Sequence, residues 1–162
     1  MFVIAALIGS FAFLASAQTS LTSLAGERID VQRQGGKVVI LAVGASWLPL
    51  SAKQSEFTNS LARKYSGRNV AVFFVLTDSA NPKSKNHATD EDLRAWSIKN
   101  RVNVTILRDP DGAVTLKKFG IDQLPSFVVL DKSGNASGEA FGGVDPNFDI
   151  TVSISKKVDS LL

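Results

Sequence analysis

Few residues of this 162-residue chain have types and spacings that could do chemistry, and they fall in two places. The first is Ala45-Ser46-Trp47-Leu48-Pro49-Leu50-Ser51, between the apolar run Val38–Val43 and a helical pattern. A nucleophile at such a position gains acidity from the unpaired N–H groups and the dipole of the helix start. Here Leu48 offers only hydrocarbon, and Ser51 offers a hydroxyl far too basic, once ionised, to act unaided. Taken alone, the stretch reads as a strand-to-helix turn with Pro49 at the first helical position. The second place holds the single histidine, His87, followed by Asp90-Glu91-Asp92. Imidazole and carboxylates can ligate a metal, but no ligand spacing recurs there. The same residues read better as a helix start, with Thr89 as N-cap, Asp92 three residues on, and acidic side chains in the first turn. No triad or paired-carboxylate spacing is present. No catalytic residue, metal ligand or cofactor is therefore assigned.

The chain contains no cysteine. It has no thiolate to attack a disulfide, no partner thiol to resolve one, and no sulfur to form a sulfenic acid. Zinc sites built on thiolates are excluded with them. The net charge of +3 comes from basic residues that are scattered and not clustered. They read as solvated surface, and no nucleic-acid partner is expected.

The elements that would position the turn follow from hydrophobic periodicity. Val38 to Gly44 is apolar throughout, as a central strand covered on both faces should be. Phe57, Leu61 and Tyr65 recur four apart and predict a helix over about 49–66, ended by Gly67. Val70–Leu76 is a second buried strand, completing a right-handed βαβ unit. A helix is expected over about 90–100 with Leu93 and Trp96 inward. A strand over 102–107, the turn Asp109-Pro110-Asp111-Gly112 and a short helix over 114–119 follow. Ile150, Ile154, Val158 and Leu161 mark a closing amphipathic helix.

Two blocks carry a family resemblance. Gly36-Lys37-Val38-Val39-Ile40-Leu41, followed by Ala45-Ser46-Trp47-x-Pro49, is similar to the active-site strand and turn of thioredoxin-fold proteins. Within them it resembles the exported TlpA/ResA-like thiol–disulfide branch, whose pattern here is A-S-W-C-P-P-C. Leu48 and Ser51 stand where that branch has its two cysteines. The second block is Phe119-Gly120-Ile121-Asp122-Gln123-Leu124-Pro125-Ser126-Phe127-Val128-Val129-Leu130-Asp131-Lys132-Ser133-Gly134. It resembles the F-G-V-x-x-x-P-x-x-F-x-x-D-x-x-G segment, in which the proline is cis and lies beside the cysteine turn. After it come a hairpin turn at Asp131–Gly134 and a strand around 136–141. Leu24–Val31 resembles the short lead-in strand of the same branch.

The resemblance implies an α/β fold of thioredoxin-like type, a central mixed sheet between helical layers. The resemblance runs from about Leu24 to the C-terminus, with residues 37–162 as the thioredoxin-like domain and residues 18–36 as its lead-in. It also implies a shallow groove for an extended substrate segment, in which the residue before the proline, here Leu124, offers backbone hydrogen bonds. The groove would comprise Trp47, Leu48, Pro49, Leu50, Ser51, Leu124 and Pro125, with a floor more apolar than a dithiol turn. Trp47 either presents an apolar patch to a partner or packs under a loop.

Three readings follow. The preferred one is a redox-inactive, thioredoxin-like exported protein binding a peptide or protein partner at the former active-site groove. The alternatives are a thiol–disulfide or peroxide enzyme, which the missing cysteines oppose, and a structural oligomer subunit with the groove buried. Residues 1–17 form an apolar run ending in Ala15-Ser16-Ala17, which reads as a signal peptide. The first basic residue is Arg28. Left uncleaved, the run would serve as an anchor and the sole membrane contact. A periplasmic or extracellular location is expected.

Overall fold

The computed structural model describes residues 19–162, so the predicted signal segment lies outside the described residues. One seven-stranded mixed sheet runs through them, in the spatial order β2-β1-β5-β4-β3-β6-β7. The strands are β1 (Ser20–Ser23), β2 (Arg28–Asp30), β3 (Val38–Gly44), β4 (Val70–Leu76), β5 (Thr105–Arg108), β6 (Ser126–Leu130) and β7 (Phe141–Gly142). The helices are α1 (Ser51–Lys64), α2 (Asp90–Lys99), α3 (Thr115–Lys118) and α4 (Ile150–Asp159). β3, β4 and β5 are parallel neighbours, and β6 runs antiparallel to β3.

The all-apolar sequence of β3 has a direct physical cause. Successive side chains of a strand point to opposite faces, and both faces are covered. Val38, Ile40 and Ala42 join a core with Phe57 and Leu61 of α1, Tyr65 at its C-terminal end, Leu93 of α2, and Ile150, Ile154 and Val158 of α4. Val39, Leu41 and Val43 join the opposite core with Phe119, Ile121 and, from the lead-in, Leu21 and Val31. The predicted stripes supply the buried faces of α1 and α4, although Tyr65 lies one residue past α1, and Leu161, only partly buried, lies past α4. Trp96 of α2 meets Phe74 of β4 with ring centroids 5.7 Å apart, a separation typical of favourable aromatic pairs.

Several boundaries differ from the sequence expectation. The helix expected from Pro49 begins at Ser51. Pro49 and Leu50 sit in a turn closed by Leu48 N–H to Ala45 O and Ser51 N–H to Leu48 O, and the regular ladder starts with Gln54 N–H to Leu50 O. The strand expected over 102–107 starts only at Thr105: Arg101, with a left-handed backbone (φ 54°), and Val102 donate their N–H groups back to the end of α2. The Asn59 side chain then holds the loop, donating to Arg101 O at 2.7 Å and accepting from Asn103 N–H at 2.9 Å. The strand expected around 136–141 is reduced to Phe141–Gly142, with an isolated bridge from Ala136 to Leu130. The lead-in is a hairpin of β1 and β2 in place of one strand over 24–31, and β1 pairs with β5.

α2 starts as its sequence predicts. Thr89 and Asp92 form a reciprocal capping box: Asp92 N–H donates to Thr89 Oγ1 at 3.1 Å, and Thr89 N–H donates to the Asp92 carboxylate at 2.9 Å. The Thr89 hydroxyl, and after it the Thr89 N–H, hold the Asp92 pKa below the ordinary aspartate value. A carboxyl with a depressed folded-state pKa contributes stability above its unfolded pKa and loses it as pH falls through the folded value. Asp92→Asn should therefore lower the denaturation midpoint at neutral pH, and the gap from wild type should close in strong acid. Equal midpoints at neutral pH would refute this.

Candidate functional site

The carboxyl ends of the parallel strands converge on one rim of the sheet, where open α/β sheets commonly bind ligands. Gly44 ends β3, and its carbonyl accepts from Thr77 N–H at 2.9 Å just past β4. Asp109, just past β5, donates its N–H to Leu76 O at 3.0 Å. The Ala45–Ser51 turn rises from this rim.

Asp78 is 1% exposed and ties the turn down. Its carboxylate accepts from Ser46 N–H at 2.9 Å and from the Ser46 hydroxyl. Charge-assisted bonds of this kind are stronger than neutral ones. Asp109 is equally buried, but its carboxylate is engaged by Val114 N–H, Thr115 N–H and Thr115 Oγ1 at 2.6–3.0 Å. Both acids hold local structure: Asp109 takes three donors, and Asp78 takes the N–H and hydroxyl of Ser46.

The residues predicted for the groove divide by burial. Trp47 is 50% exposed and Pro49 is exposed, whereas Leu48, Leu50 and Leu124 are half-buried. The indole therefore stands out from the rim and is not tucked beneath a loop. Ser51 is fully buried, and its Oγ accepts from Ala45 N–H at 3.3 Å. No imidazole or carboxylate shares a hydrogen bond with it among the described residues. It is a turn fastener with neither solvent access nor a base.

The Leu124–Pro125 peptide is cis, as the resemblance implies. β6 begins immediately after it, and Ser126 pairs with Val43 of β3. One further step of that antiparallel register sets Pro125 opposite Gly44. The two motif blocks, far apart in sequence, thus meet at the rim. Pro125 itself is buried.

The residue that joins them was not singled out from the sequence. Gln54, in the first turn of α1, is fully buried, and its Nε2 donates to Val43 O at 3.2 Å and to Ser126 O at 2.8 Å. It bridges the end of β3 to the residue after the cis proline. Its Oε1 has no partner among the described residues and lies 2.4 Å from where a Cβ on Gly44 would be. Glycine at 44 is therefore needed for close approach. A polar residue on the inner stripe of α1, three positions from Phe57, was the available signal.

His87 is remote in role. Its Nδ1 lies 3.1 Å from Ser79 O and closes the 79–87 loop. Among the described residues no group of three or more His, Cys, Asp or Glu side chains could hold a metal ion.

Together the fold and this rim define a thioredoxin-like domain whose redox turn has no sulfur. The Redoxin family model matches residues 13–152, and the chain belongs to that family. It is 25% identical over 122 residues to the thiol-disulfide oxidoreductase ResA of Bacillus thuringiensis and of Bacillus cereus. The match covers 75% of this chain, which spans only 65% of those relatives' length. Among solved structures, a thiol:disulfide interchange protein DsbE of Chlorobium tepidum superimposes with a TM-score of 0.73 at 19% identity, over 89% of this chain and 92% of the other. The exposed lipoprotein thioredoxin of Streptococcus pneumoniae gives 0.71 at 23% identity, over 90% and 100%. A secreted disulfide oxidoreductase of Mycobacterium tuberculosis gives 0.67 at 19%, over 89% and 96%. These likenesses establish the fold. Among the described residues no helix is long and apolar enough to cross a membrane.

Proposed function

We propose that this chain is a redox-silent, thioredoxin-like protein that acts outside the cytoplasm and binds an extended peptide or protein segment at its vacated turn. The observation that carries the reading is the half-exposed Trp47 beside Leu48, on the rim shared with the cis Leu124–Pro125 loop. The thioredoxin frame is intact, but hydrocarbon occupies the position of the attacking sulfur. An apolar surface beside a cis-proline loop favours docking of an extended peptide segment. The location outside the cytoplasm is supported by the relatives described as secreted or as an exposed lipoprotein and by the signal-like apolar run at residues 1–17.

The test is cross-linking and capture from the exported fraction of the source cell, comparing wild type with Trp47→Ala and Leu48→Ser. Loss of one discrete partner in both variants, with the thermal midpoint and oligomeric state unchanged, is the expected result. Capture that survives both substitutions would remove the groove from consideration. Insulin reduction by the purified wild-type chain would refute redox silence.

A further inference from the structure

A second cleft, of about 520 Å³, opens away from the turn between α1 and the C-terminal end of α2. Glu56, Asn59, Ser60 and Arg63 of α1 line one side, and Lys99 and Arg101 line the other. Neighbouring cations are neutralised: Lys53 lies 2.6 Å from Glu56, while Lys64 and Arg68 lie 3.7 and 3.6 Å from Asp159. Arg63, Lys99 and Arg101 have no acidic partner within 4.0 Å among the described residues. The one carboxylate of the cleft, Glu56, is already engaged by Lys53. Three uncompensated positive charges thus face one space, and an anion there would relieve their repulsion.

Helix dipoles account for Arg63 and Lys99, which sit in the last turns of α1 and α2. They do not account for Arg101. Its backbone is left-handed, just past the end of α2, where glycine is the usual residue. Two backbone bonds that terminate α2, Arg101 N–H to Ile98 O at 3.1 Å and Val102 N–H to Ser97 O at 3.0 Å, hold it there, and Asn59 Nδ2 donates to Arg101 O. Ser60 Oγ accepts from Arg63 Nη2 at 3.0 Å, restricting that guanidinium beside it.

We propose that this cleft binds a small phosphate-type polyanion, with Arg63, Lys99 and Arg101 as its ligands. Guanidinium forks match tetrahedral oxyanions. Ala52 is the one apolar side chain of the wall and no aromatic ring lies in it, so nothing there would stack on a base or ring. All three cations are exposed, which makes the binding weak and salt-sensitive.

The test is calorimetric titration of the full chain with inorganic pyrophosphate at low ionic strength. Wild type should show saturable one-site binding, weakened about tenfold in Arg101→Gly. That variant should fold at least as well as wild type, since glycine suits a left-handed backbone. Lys117→Gln/Lys118→Gln, on α3 across the sheet, should leave binding unchanged. Absence of saturable binding by wild type would overturn the proposal. So would unchanged affinity in Arg101→Gly, or equal weakening by the α3 variant, which would mark bulk charge as the cause.

Discussion

Replacing Leu48 and Ser51 together by cysteine is expected to create a reducible disulfide and a working thiol–disulfide reductase where the wild type, having no cysteine, is expected to give no turnover. The turn already has the required geometry. Ser51 N–H reaches Leu48 O at 3.1 Å, and a turn closed in this way brings its end Cα atoms within about 7 Å, overlapping the span a disulfide bridges. Position 48 is half-buried and faces the rim, whereas position 51 is fully buried behind it. That is a workable division between an attacking and a resolving thiol. The start of α1 would lower the pKa of the thiol at position 48. In an insulin assay with dithiothreitol, Leu48→Cys/Ser51→Cys should run at least about tenfold above the wild-type background. Each single variant should stay at that background, lacking a partner thiol. If the double variant kept two free thiols under oxidising conditions, the turn would not be the dithiol frame described above.

Gln54 sets the second large expectation. Gln54→Glu places a carboxylate in a fully buried site whose two described partners, Val43 O and Ser126 O, are both acceptors. Burial without a cation raises the folded-state pKa of such a group above its unfolded value. The penalty is absent below the unfolded pKa and grows as pH rises through the folded one. At neutral pH the loss should be about 3 kcal/mol or more, recovering in acid as the protonated carboxyl regains one donor. Gln54→Met removes the same two bonds without adding charge. It should cost about 1–3 kcal/mol, independent of pH. Denaturant midpoints measured across pH separate the two variants. Identical curves for wild type and Gln54→Glu would mean that the bridge between β3 and the proline loop carries no weight.

The two expectations draw on different kinds of information. Ordering of the central strands and of the three long helices was legible because their burial is periodic. A strand covered on both faces must be apolar at every position, as β3 is. A helix covered on one face must repeat near every fourth position, as Phe57, Leu61 and Tyr65 do. The capping box of Thr89 and Asp92 was legible because it is closed over four residues. Boundaries set by distant contacts were not. Asn59 holds the loop that leads into β5, and Asn59 and Asn103 are neighbours only after α1 has folded against the loop that follows α2.

By itself, the sequence established that the chain carries no sulfur nucleophile, that two motif blocks match a thioredoxin-like frame, and that the helix faces and strands bury what they do. These are matters of residue type and local period, which need no third dimension. Only the tertiary structure decided that Trp47 stands exposed while Ser51 is sealed, that Gln54 laces the turn to the proline loop, and that Arg63, Lys99 and Arg101 share one cleft. Each depends on which distant segments pack together. A polar side chain at a given position is a clamp, a nucleophile or a solvated group according to neighbours that the linear order does not name.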